Sequence, residues 1–140
     1  SAPARKIQKE DFSLLDFFTP NETEAEFYLN KKIETKEDIQ NAAKEFLSMG
    51  VKNIIITLGA KGVYFENAKE NYFIEALSLK NEVIDTTGAG DAFNGALAVA
   101  LAKDSNYKDA IIFANKVGGI STTRLGAANS MPLLKEVAEY

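Results

Sequence analysis

Holding an anion takes fixed hydrogen-bond donors, and activating a hydroxyl takes a base. One stretch of this sequence offers both: Asp85-Thr86-Thr87-Gly88-Ala89-Gly90-Asp91-Ala92-Phe93-Asn94-Gly95. It reads as an extended piece, a glycine turn and the start of a helix. Gly88, Ala89 and Gly90 are small enough for the backbone to approach an anion closely, and the unpaired N–H groups of a helix N-terminus would point at it. A migrating phosphoryl group calls for such a preset donor array. Asp91 follows at the mouth of the turn, where a carboxylate can take the proton of an attacking hydroxyl. Taken alone, the same residues also describe an ordinary strand-to-helix turn with Asp91 as a capping residue.

Composition narrows the chemistry further. The 140 residues contain no histidine, so a general base must be a carboxylate, a lysine or a tyrosine. Histidine-based triads and zinc hydrolase sites fall away. Cysteine is absent too, which removes disulfide frameworks and thiolate nucleophiles and fits a reducing compartment. A dinucleotide fingerprint would need a third glycine where Phe93 stands, and no G-x-x-x-x-G-K-[ST] P-loop occurs. The net charge of −4 argues against a broad nucleic-acid-binding face. It still permits one phosphate ligand held by backbone amides and a single cation. The longest apolar run, around Ile54 to Leu58, is strand-sized and far short of the roughly 18 residues of a membrane span. No secretory signal pattern is visible.

The elements that must position the glycine turn can be read from periodicity and punctuation. Residues 1–10 carry no periodicity and read as a loop or an unfinished element. Leu14 to Thr19 is a short apolar run ended by Pro20, a buried strand by pattern. Asn21 is placed to cap a helix whose first turn holds Glu22 and Glu24. Thr35, with Asp38 three residues on, opens a second helix with Ile39, Ala42, Ala43, Phe46 and Leu47 as its apolar stripe and Gly50 at its end. Val51 to Leu58 is β-branched and flanked by glycine, as buried parallel strands are. Gly59 to Gly62 turns the chain into Val63–Phe65, which with Asn71 to Glu75 reads as an antiparallel edge. Glu82 to Asp85 reads as a further short extended piece. Ala92 to Lys103 is a helix without a polar face, which predicts burial on both sides. Asp109 to Thr123 is another helix, Arg124 to Ser130 a glycine-containing loop, and Pro132 opens a last helix to Tyr140. Alternating strands and helices make the class α/β with a largely parallel sheet.

DTTGAGDAFNGAL resembles the C-terminal signature of the pfkB carbohydrate kinases. TPNETEAE (Thr19 to Glu26), ITLGAKG (Ile56 to Gly62) and TTRLGAANS (Thr122 to Ser130) stand in that family's order and spacing, nearest to its ribokinase type. The resemblance covers essentially residues 1–140. It implies a ribokinase-like three-layer α/β fold, with a largely parallel sheet and helices on both faces, of which this chain would be the C-terminal portion.

What the resemblance implies can be set out residue by residue. Asp91 would be the catalytic base that meets the sugar, and Gly88-Ala89-Gly90 the anion hole. Asn21 and Glu24 fall on the family's N-x-x-E element, which helps to place the nucleotide phosphates and Mg²⁺, Glu24 acting through water. Thr57, Leu58, Gly59, Ala60, Lys61 and Gly62 match the strand-end loop that lines ATP, with Gly90 and Asp91 at the phosphate end. Asn115 stands where these kinases often carry a histidine beside the adenine. Asp85, Thr87, Ser121, Arg124, Gly126 and Ser130 match the site of an activating monovalent cation, usually K⁺, most of them through carbonyl oxygens.

The implied activity is ATP-dependent phosphorylation of ribose to ribose 5-phosphate. Fructokinase, nucleoside kinase and a non-catalytic nucleotide-binding fragment are the alternatives. The family's sugar-binding residues and lid lie mainly outside this stretch, so residues 1–140 are expected to be a nucleotide-binding portion with little turnover alone. A cytoplasmic location, a homodimeric parent protein, and no nucleic-acid or membrane partner complete the expectations.

Overall fold

The computed structural model describes residues 7–140, so the reading of residues 1–6 as loop lies outside the described residues. The chain divides into two compact units, one ending at Glu75 and one formed by Ala76–Tyr140.

The first unit is a four-stranded sheet with helices packed on it. Its elements are β1 (Phe17–Phe18), α1 (Glu22–Leu29), α2 (Lys36–Ser48), β2 (Asn53–Thr57), β3 (Val63–Asn67) and β4 (Asn71–Ile74). Strand order is β1-β2-β3-β4. β1 and β2 run parallel, whereas β3 and β4 add on antiparallel, so the sheet is mixed. In register, Ile54 and Ile56 lie opposite Glu66 and Tyr64. With period-2 alternation, Ile54, Ile56 and Tyr64 share a core with Ala25, Ile39, Ala42, Ala43 and Phe46 of the two helices. The expected stripe of α2 is therefore its buried face, Leu47 lying half-buried at its margin.

Both helix starts follow from capping chemistry. The Asn21 side chain accepts from the Glu24 N–H and Thr35 from the Asp38 N–H, each completing a capping box. The β1 segment is shorter than Leu14 to Thr19 suggested. Lys9–Leu14 winds into a 3₁₀ turn instead, which leaves Leu14 77% exposed. Periodicity cannot separate a short apolar run in a turn from one in a strand.

In the second unit α3 (Ala89–Ala102), α4 (Tyr107–Ser121) and α5 (Leu134–Ala138) follow an irregular segment. Glu82 to Asp85 forms no strand. The Ile84 and Asp85 N–H groups instead donate to the Thr122 carbonyl, at 2.8 and 3.1 Å. Helix α3 buries Ala92, Phe93, Ala96, Leu97 and Ala100, a spacing of three and four residues that marks one face. Its other face stays open, with Val99 52% exposed, so the expected burial on both sides is not seen in this unit. Alanine and glycine on that side hide the amphipathic pattern in the sequence. α4 packs along α3 closely enough that a Cβ on Gly118 would lie 3.2 Å from the Ala89 carbonyl oxygen. α5 begins two residues after Pro132 and is shorter than expected, its first turn held by the Glu136 carboxylate accepting from the Leu133 N–H at 2.6 Å.

Candidate active site

The candidate residues fall into two sets, one in each unit. In the first unit they gather where β2 ends beside the start of α1. The Thr57 N–H donates to the Pro20 carbonyl at 2.9 Å, and Asn21 and Thr57 form a parallel bridge. This joins the N-x-x-E turn to the strand-end loop by backbone alone. Asn21 Oδ1 accepts from the Glu24 N–H at 2.8 Å, and Glu24 Oε2 accepts from the Asn21 N–H at 3.0 Å. Both side chains are thus used as helix caps, which fixes their positions. The loop closes on itself: the Leu58 N–H donates to the Gly62 carbonyl at 2.8 Å and the Gly62 N–H to the Gly59 carbonyl at 3.1 Å. Leu58 sends its side chain into the core, so it offers a ligand its backbone only. Gly59, Ala60 and Lys61 are exposed. Lys61 Nζ lies 3.2 Å from Glu22 Oε1, a pairing that no sequence pattern announced.

The second unit holds the glycine turn. Gly88 occupies the N-cap of α3 at φ +79°, a left-handed conformation that glycine adopts at little cost. A Cβ there would lie 2.9 Å from the Ala127 Cβ and 3.0 Å from its Cα, so the loop after α4 presses directly on the turn. Within α3, Gly90 and Asp91 stand in the first turn, where N–H groups have no acceptor four residues back. Space beside Gly90 is open, with nothing within 4 Å of an added Cβ. Asp91 is exposed and lines a cavity of about 550 Å³ together with Gly95, Val99, Phe113, Met131 and Leu134.

Asp85 ties the turn to the loop that follows α4. Its Oδ1 accepts from the Thr87 N–H at 2.9 Å and its Oδ2 from the Gly126 N–H at 3.0 Å. The Thr87 hydroxyl, the Thr87 amide and the Gly126 amide hold the Asp85 carboxyl below the ordinary aspartate range. Ser121 and Ser130 are buried and turn their hydroxyls inward, to the carbonyls of Gly118 and Ala127. The Arg124 guanidinium grips Glu136, Nη2 to Oε1 at 2.6 Å. With the Arg124 side chain paired, that residue has its carbonyl oxygen to offer a cation, whereas Ser121 and Ser130 keep hydroxyl lone pairs as well as carbonyl oxygens. Asn115 is half-buried on α4. Among the described residues no group of three or more acidic side chains stands together as a metal site. Gly118 and Ala127, which pack against the turn, escaped sequence reading because small residues in a helix and a loop carry no signal of what they touch.

Known proteins resemble this chain in sequence and fold. Residues 3–134 match the pfkB family carbohydrate kinase profile. The chain is 43% identical to a ribokinase of Staphylococcus aureus (strain COL), across 97% of this chain and 44% of that protein. The solved structure of Thermotoga maritima ribokinase superposes with a TM-score of 0.87 at 42% identity, covering 99% of this chain and 46% of that one. The ribokinase of Arabidopsis thaliana, solved with ribose and ATP, superposes with a TM-score of 0.89 at 31% identity, covering 95% and 43%. This chain therefore spans less than half the length of the relatives it matches.

Proposed function

Because the chain belongs to the pfkB family of carbohydrate kinases, we propose that it is the nucleotide-binding part of an ATP-dependent sugar kinase, with ribose as the sugar. The observation that carries this reading is the position of Asp91. Its carboxylate stands exposed in the first turn of α3, one residue from Gly90 and the amides of the glycine turn, at the edge of an open cavity.

In this mechanism Asp91 takes the proton of a sugar hydroxyl. The oxygen so activated forms a bond to the γ-phosphorus of ATP as the bond to the β–γ bridging oxygen breaks, and ADP leaves. Charge on the transferred group is met by the Gly90 and Asp91 N–H groups, fixed before the reaction and aimed along the helix dipole. Asn21, the Thr57–Gly62 loop and Asn115 hold the nucleotide. Glu24 uses Oε2 in its cap and leaves Oε1 for water on Mg²⁺, an ion that keeps much of its hydration and would offset phosphate charge. The Asp85 carboxylate and the carbonyls of Thr87, Ser121, Arg124, Gly126 and Ser130 suit a K⁺ ion, whose charge would bear on the turn from behind.

Replacing Asp91 by Ala in the complete protein that contains this chain tests the base. General-base removal lowers turnover by about 10²–10⁴-fold, with Mg·ATP binding retained. A coupled ADP-release assay showing turnover within about tenfold of the parent, roughly 1.4 kcal/mol, would remove Asp91 from this role. Residues 1–140 alone are expected to release ADP from ATP and ribose at a rate near background, and ordinary kinase rates from them would overturn the division of labour. A panel of ribose, fructose and adenosine as acceptors separates the family's substrate classes.

A further inference from the structure

Glu22 sits beside the nucleotide elements, and neither the helix cap nor the family motif uses it. It is the first residue of α1, directly after Asn21. Its Oε1 lies 3.2 Å from Lys61 Nζ, the single cation of the loop from Thr57 to Gly62. Both anchors are stiff. The Asn21–Thr57 bridge and the Thr57-to-Pro20 hydrogen bond join the two backbones, and the loop is closed by its own hydrogen bonds. The side chains are not stiff: Lys61 is 68% exposed and Glu22 32% exposed. A four-carbon stem lets the ammonium change partner without moving the loop.

We propose that Glu22 is a positioning residue that competes with the nucleotide polyphosphate for Lys61. This deepens the nucleotide role given above to the Thr57–Gly62 loop and rests on it. In the free protein the carboxylate holds the ammonium at the start of α1. When a polyphosphate arrives, Lys61 must leave Glu22 to reach it, so the resting pair lowers affinity for ATP and ADP alike. Adenosine, having no phosphate, does not feel the exchange. Exposed ion pairs are weak, and loss of the competitor corresponds to roughly a two- to fivefold gain in affinity.

Titration calorimetry of the chain with Mg·ATP and with adenosine provides the test, on the parent, Glu22→Gln, Lys61→Met and the double variant. Glu22→Gln is expected to tighten Mg·ATP by about two- to fivefold and to leave adenosine unchanged. Lys61→Met weakens Mg·ATP, and the double variant matches Lys61→Met. A merely structural pair gives the opposite sign, because Glu22→Gln would then loosen the loop and weaken both ligands. An equal gain in the Lys61→Met background also overturns the inference, since Glu22 would then act on the phosphates by its own charge. Should the parent chain bind neither Mg·ATP nor adenosine, the nucleotide reading itself fails and takes this inference with it. That result is distinct from ATP binding that Glu22→Gln leaves untouched, which sinks the inference alone.

Discussion

Replacing Gly90 by Ala should separate the fold of this chain from its chemistry. Gly90 is the second residue of α3, its φ is not in the left-handed region, and a Cβ built on it meets nothing within 4 Å. A helical glycine without steric need destabilises by about 0.5–1 kcal/mol relative to alanine. The substitution should therefore leave stability unchanged or raise it, by up to about 1 kcal/mol. For domains of this size that is a rise of a few degrees in Tm, about 2–8 °C at most. On the proposed mechanism, the same empty space is where a transferred phosphoryl group would contact the Gly90 and Asp91 amides. A methyl there holds the anion off its donors, and losing one such donor lowers kcat by about 10²–10³-fold, roughly 2.7–4 kcal/mol. Thermal melts of the chain read the first effect, and coupled ADP release by the complete protein reads the second. A well-folded variant whose kcat stays within tenfold of the parent would show that no phosphoryl group is handled at this turn. A loss of stability would show instead that the space is not open.

Other substitutions probe the supports of the site. Asn21→Ala removes the Glu24 N–H acceptor and should destabilise the first unit by about 0.5–2 kcal/mol in urea denaturation, whereas Asn21→Asp, which can still cap, should hold stability. Asp85→Asn should reduce stability at neutral pH. Because the folded Asp85 carboxyl titrates below its ordinary value of 3.8, its contribution is present above that ordinary value and is lost as pH falls through the folded value. The stability gap between Asp85→Asn and parent should thus close on acidification, and a gap independent of pH would show that carboxylate charge is irrelevant there. On the cation reading, ribose phosphorylation by the complete protein should rise when K⁺ replaces tetramethylammonium, and Asp85→Asn should abolish that rise.

Much of this structure was legible where local chemistry decides it. Thr35 with Asp38 and Asn21 with Glu24 spell capping boxes, and both helices start where those residues say. The strand Asn53–Thr57 and the antiparallel pair after it were equally plain from β-branched runs and the glycine turn. Reading failed where tertiary context decides. Leu14 carries the same apolarity as Phe17, yet one lies in an exposed 3₁₀ turn and the other in a strand. Val83 and Ile84 look like a strand, but the carbonyl that receives the Ile84 N–H belongs to Thr122, far along the chain. Packing of Ala127 on Gly88, like the pairing of Lys61 with Glu22, is a long-range contact for which side-chain type gives no clue.

The candidate site also shows a division of work between side chain and backbone. Asn21 and Glu24 cap α1, Asp85 receives two amides, Ser121 and Ser130 bond to carbonyls behind them, and Arg124 holds Glu136. All but Arg124, whose partner is another side chain, use their side chains to fix main chain. On the proposed mechanism, what they leave for ligands is main-chain N–H and carbonyl groups and the second carboxylate oxygen of Glu24. Such groups cost little reorganisation when an anion arrives, because the fold has already oriented them. Side-chain substitutions at these positions should then act through geometry, and their effects on stability and nucleotide affinity should rise and fall together. Asp91 stands apart. Its carboxylate is exposed in the first turn of α3, and the other residues there have no side chain that could accept a proton. A substitution at Asp91 should therefore cut turnover while leaving stability and affinity nearly where they were, and that separation is what identifies a base rather than a support.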